Sequence, residues 1–353
     1  MACQLLLLLS EFCKNVSMQM TINFQNQLYL KKLHMFRLSA KSTTPLIIAL
    51  SWQLFVSTST QAMGLMLEQS TMQCGLSTPT PLALPVQVAK RLTDSQVANG
   101  NKDIAWAWLG TPTMRYPHKA LGASTHAGSL HVLVNIAGRK QEEIVHELPF
   151  NRVFEDRIPR LVDLDGDGRD EIILIESDAL RGSATVVYGV QTTKSAKSLD
   201  KKHTLVELAR SVQTGSTFRW LNPVGVADFD GDGKLDIASV ITPHVGGLLT
   251  LYHYAPPKLE PFAQAMDTSN HRMGDLEQQL AVIVEQKGIR PTVIVPDMQL
   301  KALHALRWEA PGQWKELADV KPLPATVKRI TSLPNGGCVL LTDATWWRVW
   351  LTN

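Results

Sequence analysis

The chain of 353 residues is 44% hydrophobic and 19% charged, a composition that supports a large apolar core and excludes an intrinsically disordered protein. The formal net charge is +3, but residues 1–62 hold five of the 35 basic residues and one of the 32 acidic residues, which leaves 30 basic and 31 acidic residues in residues 63–353. Because a nucleic-acid-binding domain needs a clear basic excess, we expect no nucleic-acid partner.

The N-terminal region has the pattern of an export signal with an upstream extension. From Met35 the chain runs through a short cationic segment, an apolar segment at Leu46–Val56, and small residues that end at Ala62. An apolar segment of this length is too short for a bilayer, which needs about 20 residues. We therefore expect a signal peptide at residues 35–62, a disordered extension at residues 1–34, and a secreted, periplasmic or cell-envelope protein. A transmembrane anchor is the alternative, and translation could start at Met1 or Met35.

The first predicted strand after this signal, GLMLEQSTM at residues 64–72, has no neighbouring strand-like segment with which it could form a sheet. The next region, near residues 85–150, contains VANGNKDIAWAWLG. Its Asn99, Gly100 and Asp103 match positions 5, 6 and 9 of an acidic loop pattern that is complete twice further along the chain. Since positions 1 and 3 hold no carboxylate here, we expect this copy to bind no metal.

Two acidic loops, DLDGDGRDE at residues 163–171 and DFDGDGKLD at residues 228–236, repeat one pattern. Carboxylates stand at positions 1, 3, 5 and 9, a glycine at position 6, and the carbonyl of position 7 can add another oxygen. Calcium prefers about six to eight oxygen ligands, and these like charges would repel one another without a cation. We therefore predict two calcium ions as cofactors. The predicted ligands are Asp163, Asp165, Asp167, the Arg169 carbonyl and Glu171 in the first loop, and Asp228, Asp230, Asp232, the Lys234 carbonyl and Asp236 in the second.

Two alternatives to this interpretation exist. An EF-hand needs a bidentate Glu at position 12 and a helix on each side, but position 12 is Leu174 in one loop and Ser239 in the other. The flanking segments EIILIES and DIASVIT are rich in β-branched residues, so the loops join strands. A solvated acidic turn without metal is the other alternative.

The loops belong to a longer repeat. The regions near residues 151–210 and 218–267 each divide into four strand-like segments, and weaker copies lie near residues 277–320 and 325–353. Repeats of about 45–70 residues with four strands each are typical of a β-propeller. We therefore expect an all-β fold, a β-propeller of about five four-stranded blades, over residues 63–353.

The last predicted blade has only three strands of its own. An open blade edge would invite aggregation, so we expect residues 64–72 to supply the fourth strand and close the ring. Cys74 and Cys338 are the only cysteines after the predicted cleavage site, and neither lies in a zinc or Cys-x-x-Cys spacing. Two free buried thiols are one possibility. Closure of the ring would bring the two cysteines together and favour a disulfide between them.

The two acidic loops and the strands that follow them resemble FG-GAP or VCBS repeats, the units of integrin α-subunit-like β-propellers. The resemblance covers roughly Pro85–Asn353, and Glu171 stands where that family usually has Asp. It implies calcium in the loop between the first two strands of a blade. It also implies that partners bind the opposite face, where turns and connections hold the candidate ligand-binding residues His126, Arg181, Trp220 and His244.

The sequence contains no nucleophile elbow, zinc-protease motif or phosphate-binding loop, and we expect no enzymatic activity. The favoured hypothesis is an exported, monomeric binding module for a protein or carbohydrate ligand, with no membrane span after signal cleavage. A propeller enzyme acting on polysaccharide and an envelope assembly component are the alternatives.

Overall fold

The computed structural model describes residues 64–71, 74, 84–85, 88, 90–136, 140–194, 201–317 and 320–352. The predicted extension and signal peptide, residues 1–62, lie outside the described residues. Strands dominate the described part, which contains no α-helix, so the all-β prediction is confirmed. Accordingly, this part of the chain offers no helix with the length and hydropathy needed to cross a membrane.

The strands follow one another with short connections. In chain order they are β1 (Leu65–Ser70), β2 (Ala98–Asn99), β3 (Ile104–Thr113), β4 (His126–Ile136), β5 (Lys140–Glu147), β6 (Arg152–Phe154), β7 (Arg160–Val162), β8 (Glu171–Asp178), β9 (Gly182–Lys194), β10 (Lys201–Arg210), β11 (Leu221–Ala227), β12 (Asp236–Ile241), β13 (Leu248–Ala255), β14 (Lys258–Ala265), β15 (Val282–Gln286), β16 (Ile289–Pro296), β17 (Ala302–Ala310), β18 (Gln313–Glu316), β19 (Lys321–Pro322), β20 (Val327–Leu333), β21 (Gly336–Leu341) and β22 (Trp346–Leu351).

Strands next to each other in sequence pair antiparallel in groups, which we call repeats 1 to 5. Repeat 1 is β2–β5, repeat 2 is β7–β10, repeat 3 is β11–β14 and repeat 4 is β15–β18. Repeat 5 consists of β20–β22 with β1 as its fourth strand. The short strand β6 pairs with both β4 and β8, and a single bridge joins β10 to β14, so repeats 1 to 3 form one continuous 13-stranded network.

The apolar core lies between successive repeats. Strand β8 is buried at every position, because its two faces pack against different neighbours. Ile172 and Leu174 belong to the cluster shared with repeat 1, whereas Ile173 belongs to the cluster shared with repeat 3. This alternation follows from the two-residue period of a strand. Further clusters join repeat 3 to repeat 4 and repeat 4 to repeat 5.

Strand β1 completes repeat 5 by pairing antiparallel with β22, the last strand of the chain. The register runs from Leu65 opposite Leu351 to Ser70 opposite Trp346. Leu65 is 1% exposed and belongs to the same apolar cluster as Val349. The early segment predicted to supply the missing strand therefore does pair with the final strand, and it covers an edge that would otherwise be open.

A disulfide bond joins Cys74 to Cys338, whose Cα atoms are 5.5 Å apart. Cys338 lies in β21 and is fully buried. The bond therefore links the segment that follows β1 to the middle of repeat 5. Of the two possibilities that the sequence left open, the structure therefore has the disulfide and not two free buried thiols.

We expect replacement of Cys74 and Cys338 by alanine to lower the free energy of unfolding by about 2–5 kcal/mol, because the bond restricts a long loop in the unfolded chain. The two residues are 264 positions apart in sequence. Denaturant titration of oxidised protein, reduced protein and the double variant measures the effect. The reduced protein and the double variant should agree. A reductant that destabilises the double variant equally would contradict a role for this bond.

The segments that precede β7 and β15 meet the start of β11 in a buried polar cluster. Asp156 accepts hydrogen bonds from the Gln278 side chain at 3.1 Å, from the Ile175 amide at 2.9 Å and from the Arg160 guanidinium at 2.8 Å. The side-chain amide of Asn222 donates to the backbone carbonyl of Gln278 at 2.8 Å. The cluster thus connects repeats 2, 3 and 4 through residues that are far apart in sequence.

Candidate functional site

The two acidic loops connect the first and second strands of repeats 2 and 3. In the first loop, oxygen atoms of Asp163, Asp165 and Glu171 lie within 4.8 Å of one another. In the second, the equivalent residues at positions 1, 3 and 9 form a second group of the same size. The structure thus gathers three of the four predicted carboxylates in each loop around one point. The groups are Asp163, Asp165 and Glu171, and Asp228, Asp230 and Asp236.

Both loops are held by the same four hydrogen bonds. The amide of position 6 donates to the position 1 carboxylate at 3.1 Å in the first loop and 2.9 Å in the second, and the amide of position 5 donates to position 3 at 3.2 and 3.0 Å. The amide of position 7 donates to position 5 at 2.8 Å in both, and the amide of position 2 donates to position 9 at 2.7 and 3.1 Å. Two sequences 65 residues apart therefore fold into one loop conformation.

Glycines make this conformation accessible. Gly166 and Gly168 have φ angles of 76° and 87°, and Gly231 and Gly233 have 77° and 88°. These left-handed angles strain any residue with a Cβ atom. The sequence pattern marked a glycine at position 6 only, whereas the structure has a left-handed glycine at position 4 as well.

The residues at positions 5 and 7 of each loop make other contacts. Asp167 and Asp232 lie outside the two 4.8 Å groups and each accept the amide of position 7. The guanidinium of Arg169 pairs with Asp103 at 3.2 Å, and the ammonium of Lys234 lies 3.8 Å from Asp232. That the carbonyl oxygens of Arg169 and Lys234 bind metal stays a prediction.

The chemistry of these groups fits a cation. Asp163 Oδ1 is buried and has no hydrogen-bond partner in the described part of the chain. Burial, together with the neighbouring carboxylates, raises the pKa of Glu171 to about 7. Burial likewise raises the pKa of Asp236 to about 6. A hard cation at either point would satisfy these oxygens and relieve the repulsion between them.

The two sites differ in their cationic neighbours. The ammonium of Lys102, in the incomplete loop of repeat 1, contacts Asp163. In the second site the imidazole of His253, on β13, lies 3.0 Å from Asp236 and 4.0 Å from Asp230. The loop of repeat 1 has thus lost the acidic pattern and contacts the neighbouring acidic loop.

Both acidic loops line one cavity of about 650 Å³. Its wall includes Asp165 from the first loop, Asp230 and Asp232 from the second, and Tyr254 from β13. Both carboxylate groups are therefore reached from the same side of the molecule.

The candidate ligand-binding residues lie at the other end of the strands, and only Arg181 is exposed there. His126 is 0% exposed and Trp220 is 1% exposed, so neither can contact a surface ligand directly in this structure. His244 is half-buried, stacks on the Trp220 ring and hydrogen bonds to His271 at 2.8 Å. Burial lowers the pKa of His244 to about 4, which leaves its ring neutral.

Three polar residues near these rings, His118, Glu155 and Ser177, were not identified from the sequence. His118 Nδ1 lies 2.6 Å from Glu155 Oε1, and the His118 ring stacks on Phe218, which is 46% exposed. The Ser177 hydroxyl donates to the other Glu155 oxygen at 2.6 Å. These residues lie in different connections and strands, and no short motif joins them. Only their shared position at one end of the repeats could have indicated that they meet.

Comparison with known protein families and curated sequences identifies neither of these sites. No protein-family model matches the chain, and no curated protein sequence matches it. The resemblance to FG-GAP or VCBS repeats therefore rests on the two loops and stays a prediction.

Proposed function

We propose that the chain is a β-propeller of five four-stranded blades whose ring is closed by β1. Five antiparallel groups of strands in sequence order support this arrangement, as do apolar clusters between successive groups. The pairing of β1 with β22 joins the two ends of the described chain, as closure requires. The hydrogen bonds among Asp156, Asn222 and Gln278 support a common axis for the first strands of the repeats.

Within this propeller, each acidic loop binds one structural calcium ion. Calcium prefers oxygen ligands. The buried Oδ1 of Asp163, which has no hydrogen-bond partner among the described residues, fits such an ion. The observation that carries the proposal is the set of four hydrogen bonds that recurs at matching positions of both loops and directs their carboxylates to one point. Calcium there would fix the ends of the first two strands in repeats 2 and 3.

The propeller acts as an exported binding module, secreted or held in the periplasm or cell envelope, and works as a monomer. Its ligand is a protein or a carbohydrate, and it binds the face opposite the calcium loops. Support for this face comes from its side chains: Arg181 and Phe218 are exposed there, beside the buried rings of His126 and Trp220. The calcium ions serve the fold and leave this face free for the ligand.

Calcium titration of metal-free protein by calorimetry tests the proposal. We expect two ions for the parent chain and one ion each for Asp165→Ala and Asp230→Ala, because each variant loses an oxygen at the centre of one loop. Each bound ion should stabilise the fold by about 2.7 kcal/mol at a hundredfold excess over its dissociation constant. Glu309→Ala, which removes an exposed carboxylate elsewhere, is the matched control and should bind two ions. Zero or one ion in the parent chain would contradict the two-site proposal.

A polysaccharide-active enzyme is the second candidate, and the contact of His118 with Glu155 favours it because such a pair can transfer protons. Against it, Glu155 is 0% exposed, and most glycosidases need two carboxylates beside the sugar. We expect no release of reducing ends from a panel of polysaccharides. Release that disappears in His118→Ala would favour the enzyme over the binding module.

A further inference from the structure

Exposed apolar side chains concentrate at one end of the repeats. In a four-stranded antiparallel group, the turn between strands 2 and 3 and the connection to the next group lie at the same end. Of the fourteen large apolar residues that are exposed in the described chain, eleven lie in these turns and connections. Soluble monomers rarely gather exposed apolar side chains in this way unless the surface binds a partner.

Four of these residues form one surface, which we call the apolar patch: Met114, Phe150, Leu180 and Phe218. They are 68%, 83%, 80% and 46% exposed, respectively. The loops that hold them are in direct contact. The Ala179 amide, next to Leu180, donates to the Asn151 carbonyl, next to Phe150, at 2.9 Å.

Two further contacts connect the remaining loops of the apolar patch. The hydroxyl of Thr217, next to Phe218, donates to the Ala179 carbonyl at 2.7 Å. The guanidinium of Arg115, next to Met114, lies 5.9 Å from the centre of the Phe150 ring. The four apolar side chains therefore stand on adjoining loops at one end of the repeats.

Hydrogen bonds within the loops hold the apolar patch in shape. The amides of Leu180 and Arg181 both donate to one oxygen of Asp178, at 2.9 and 3.1 Å, and Asn151 donates to the other oxygen at 2.9 Å. Phe218 has a φ angle of 62°, which is uncommon for a residue with a side chain, and its amide donates to the Tyr116 hydroxyl at 2.9 Å. Preformed loops lose little conformational entropy on binding, and a strained residue held in this way is common at binding sites.

The charge beside the apolar patch is positive and unpaired. Arg181 and Arg219 are exposed, and neither guanidinium has an ion-pair or hydrogen-bond partner within the described chain. The nearby carboxylates of Asp178 and Glu155 are buried and already hydrogen-bonded. The composition of phenylalanine, methionine and arginine is that of protein interfaces, in which lysine is depleted.

We infer that the apolar patch is the docking surface for a protein partner that presents apolar side chains flanked by carboxylates. The inference rests on the proposed binding function and names its partner class. Apolar side chains of the partner cover Phe150 and Leu180, and its carboxylates pair with Arg181 and Arg219. The paired arginine and aromatic side chains carry most of the affinity, as is usual at such interfaces.

Selection from a random-peptide phage library on calcium-loaded protein tests the inference. We expect the enriched peptides to combine several apolar residues with a net negative charge. Synthetic copies of these peptides should bind about tenfold more weakly to Leu180→Ser and to Arg181→Glu, measured by fluorescence polarisation. Ile289→Ser is the matched control, since Ile289 is 37% exposed at the start of β16, at the opposite end of repeat 4. It should leave binding unchanged.

The outcomes separate the inference from the proposed function. Acidic apolar peptides that bind all four proteins equally would overturn the apolar patch but keep a binding module. Binding to vesicles of phosphatidylcholine and phosphatidylglycerol that Leu180→Ser abolishes, without peptide enrichment, would make this surface a membrane contact instead. If the protein binds no peptide, no vesicle and no sugar on a glycan array, both the apolar patch as a docking surface and the binding module are rejected.

Discussion

A chain that lacks Leu65–Ser70 should associate or fail to fold, because the deletion uncovers the edge of β22. Without β1, the backbone groups on that edge of Trp346–Leu351 would be unpaired. An exposed apolar edge strand promotes aggregation. The deletion also removes Leu65 from the apolar cluster between repeats 4 and 5. Size-exclusion chromatography and thermal unfolding measure both effects. A deleted chain that stays monomeric and equally stable would contradict closure by β1.

Single substitutions on the same strand separate packing from backbone pairing. Leu65→Ala should lower the free energy of unfolding by about 2–5 kcal/mol, because it leaves a cavity in a buried cluster. Met66→Ala is the matched control, since Met66 is 44% exposed on the other face of β1, and its effect should stay within about 0.5 kcal/mol. Equal effects of the two substitutions would mean that Leu65 does not contribute to the apolar cluster between repeats 4 and 5.

Asp156→Ala should lower the free energy of unfolding by about 3–5 kcal/mol, because it leaves several buried donors without an acceptor. Asp156 is 0% exposed and accepts from the Ile175 amide, the Gln278 side chain and the Arg160 guanidinium. Its removal should weaken the contact of repeat 2 with repeats 3 and 4 together. Denaturant titration measures the loss.

The control for this substitution is Asp156→Asn, which keeps the shape and one acceptor oxygen. We expect it to be destabilised less than the alanine variant. Alanine and asparagine variants with the stability of the parent chain would show that the buried cluster contributes nothing to the packing of the repeats.

The local features of the fold could be predicted from the sequence because they depend on short-range chemistry. Alternating apolar residues indicated β8 and β12, and the carboxylate spacing indicated the two acidic loops. Even the pairing of β1 with β22 followed from counting strands, since one group had three strands and one strand had no group. Each of these inferences uses neighbouring residues or a simple count.

The opposite end of the repeats could not be predicted in the same way. Its side chains are brought together by packing between repeats, so residues with the right position in a turn can still be buried. His126 and Trp220 are examples, because both lie near turns and both are almost fully buried. The exposed residues Leu180 and Phe150 carry no motif that marks them.

The long-range polar contacts could not be predicted from the sequence either. Asp156 and Gln278 are 122 residues apart, and Lys102 contacts Asp163 across 61 residues. Neither pair belongs to a repeated pattern, since each arises from the way one repeat meets another. The short strand β6 is similar, because it forms only where β4 and β8 both offer an edge.

Crystals of the protein grown with calcium would test the central claim, that two calcium ions bind the acidic loops, most directly. X-ray data at a wavelength where calcium scatters anomalously should show two peaks, one among Asp163, Asp165 and Glu171 and one among the matching residues of the second loop. We predict both peaks at full occupancy, at the ends of first strands in two neighbouring blades of a closed five-bladed ring. An anomalous map without a peak in either loop, or with a peak in only one of them, would contradict the account.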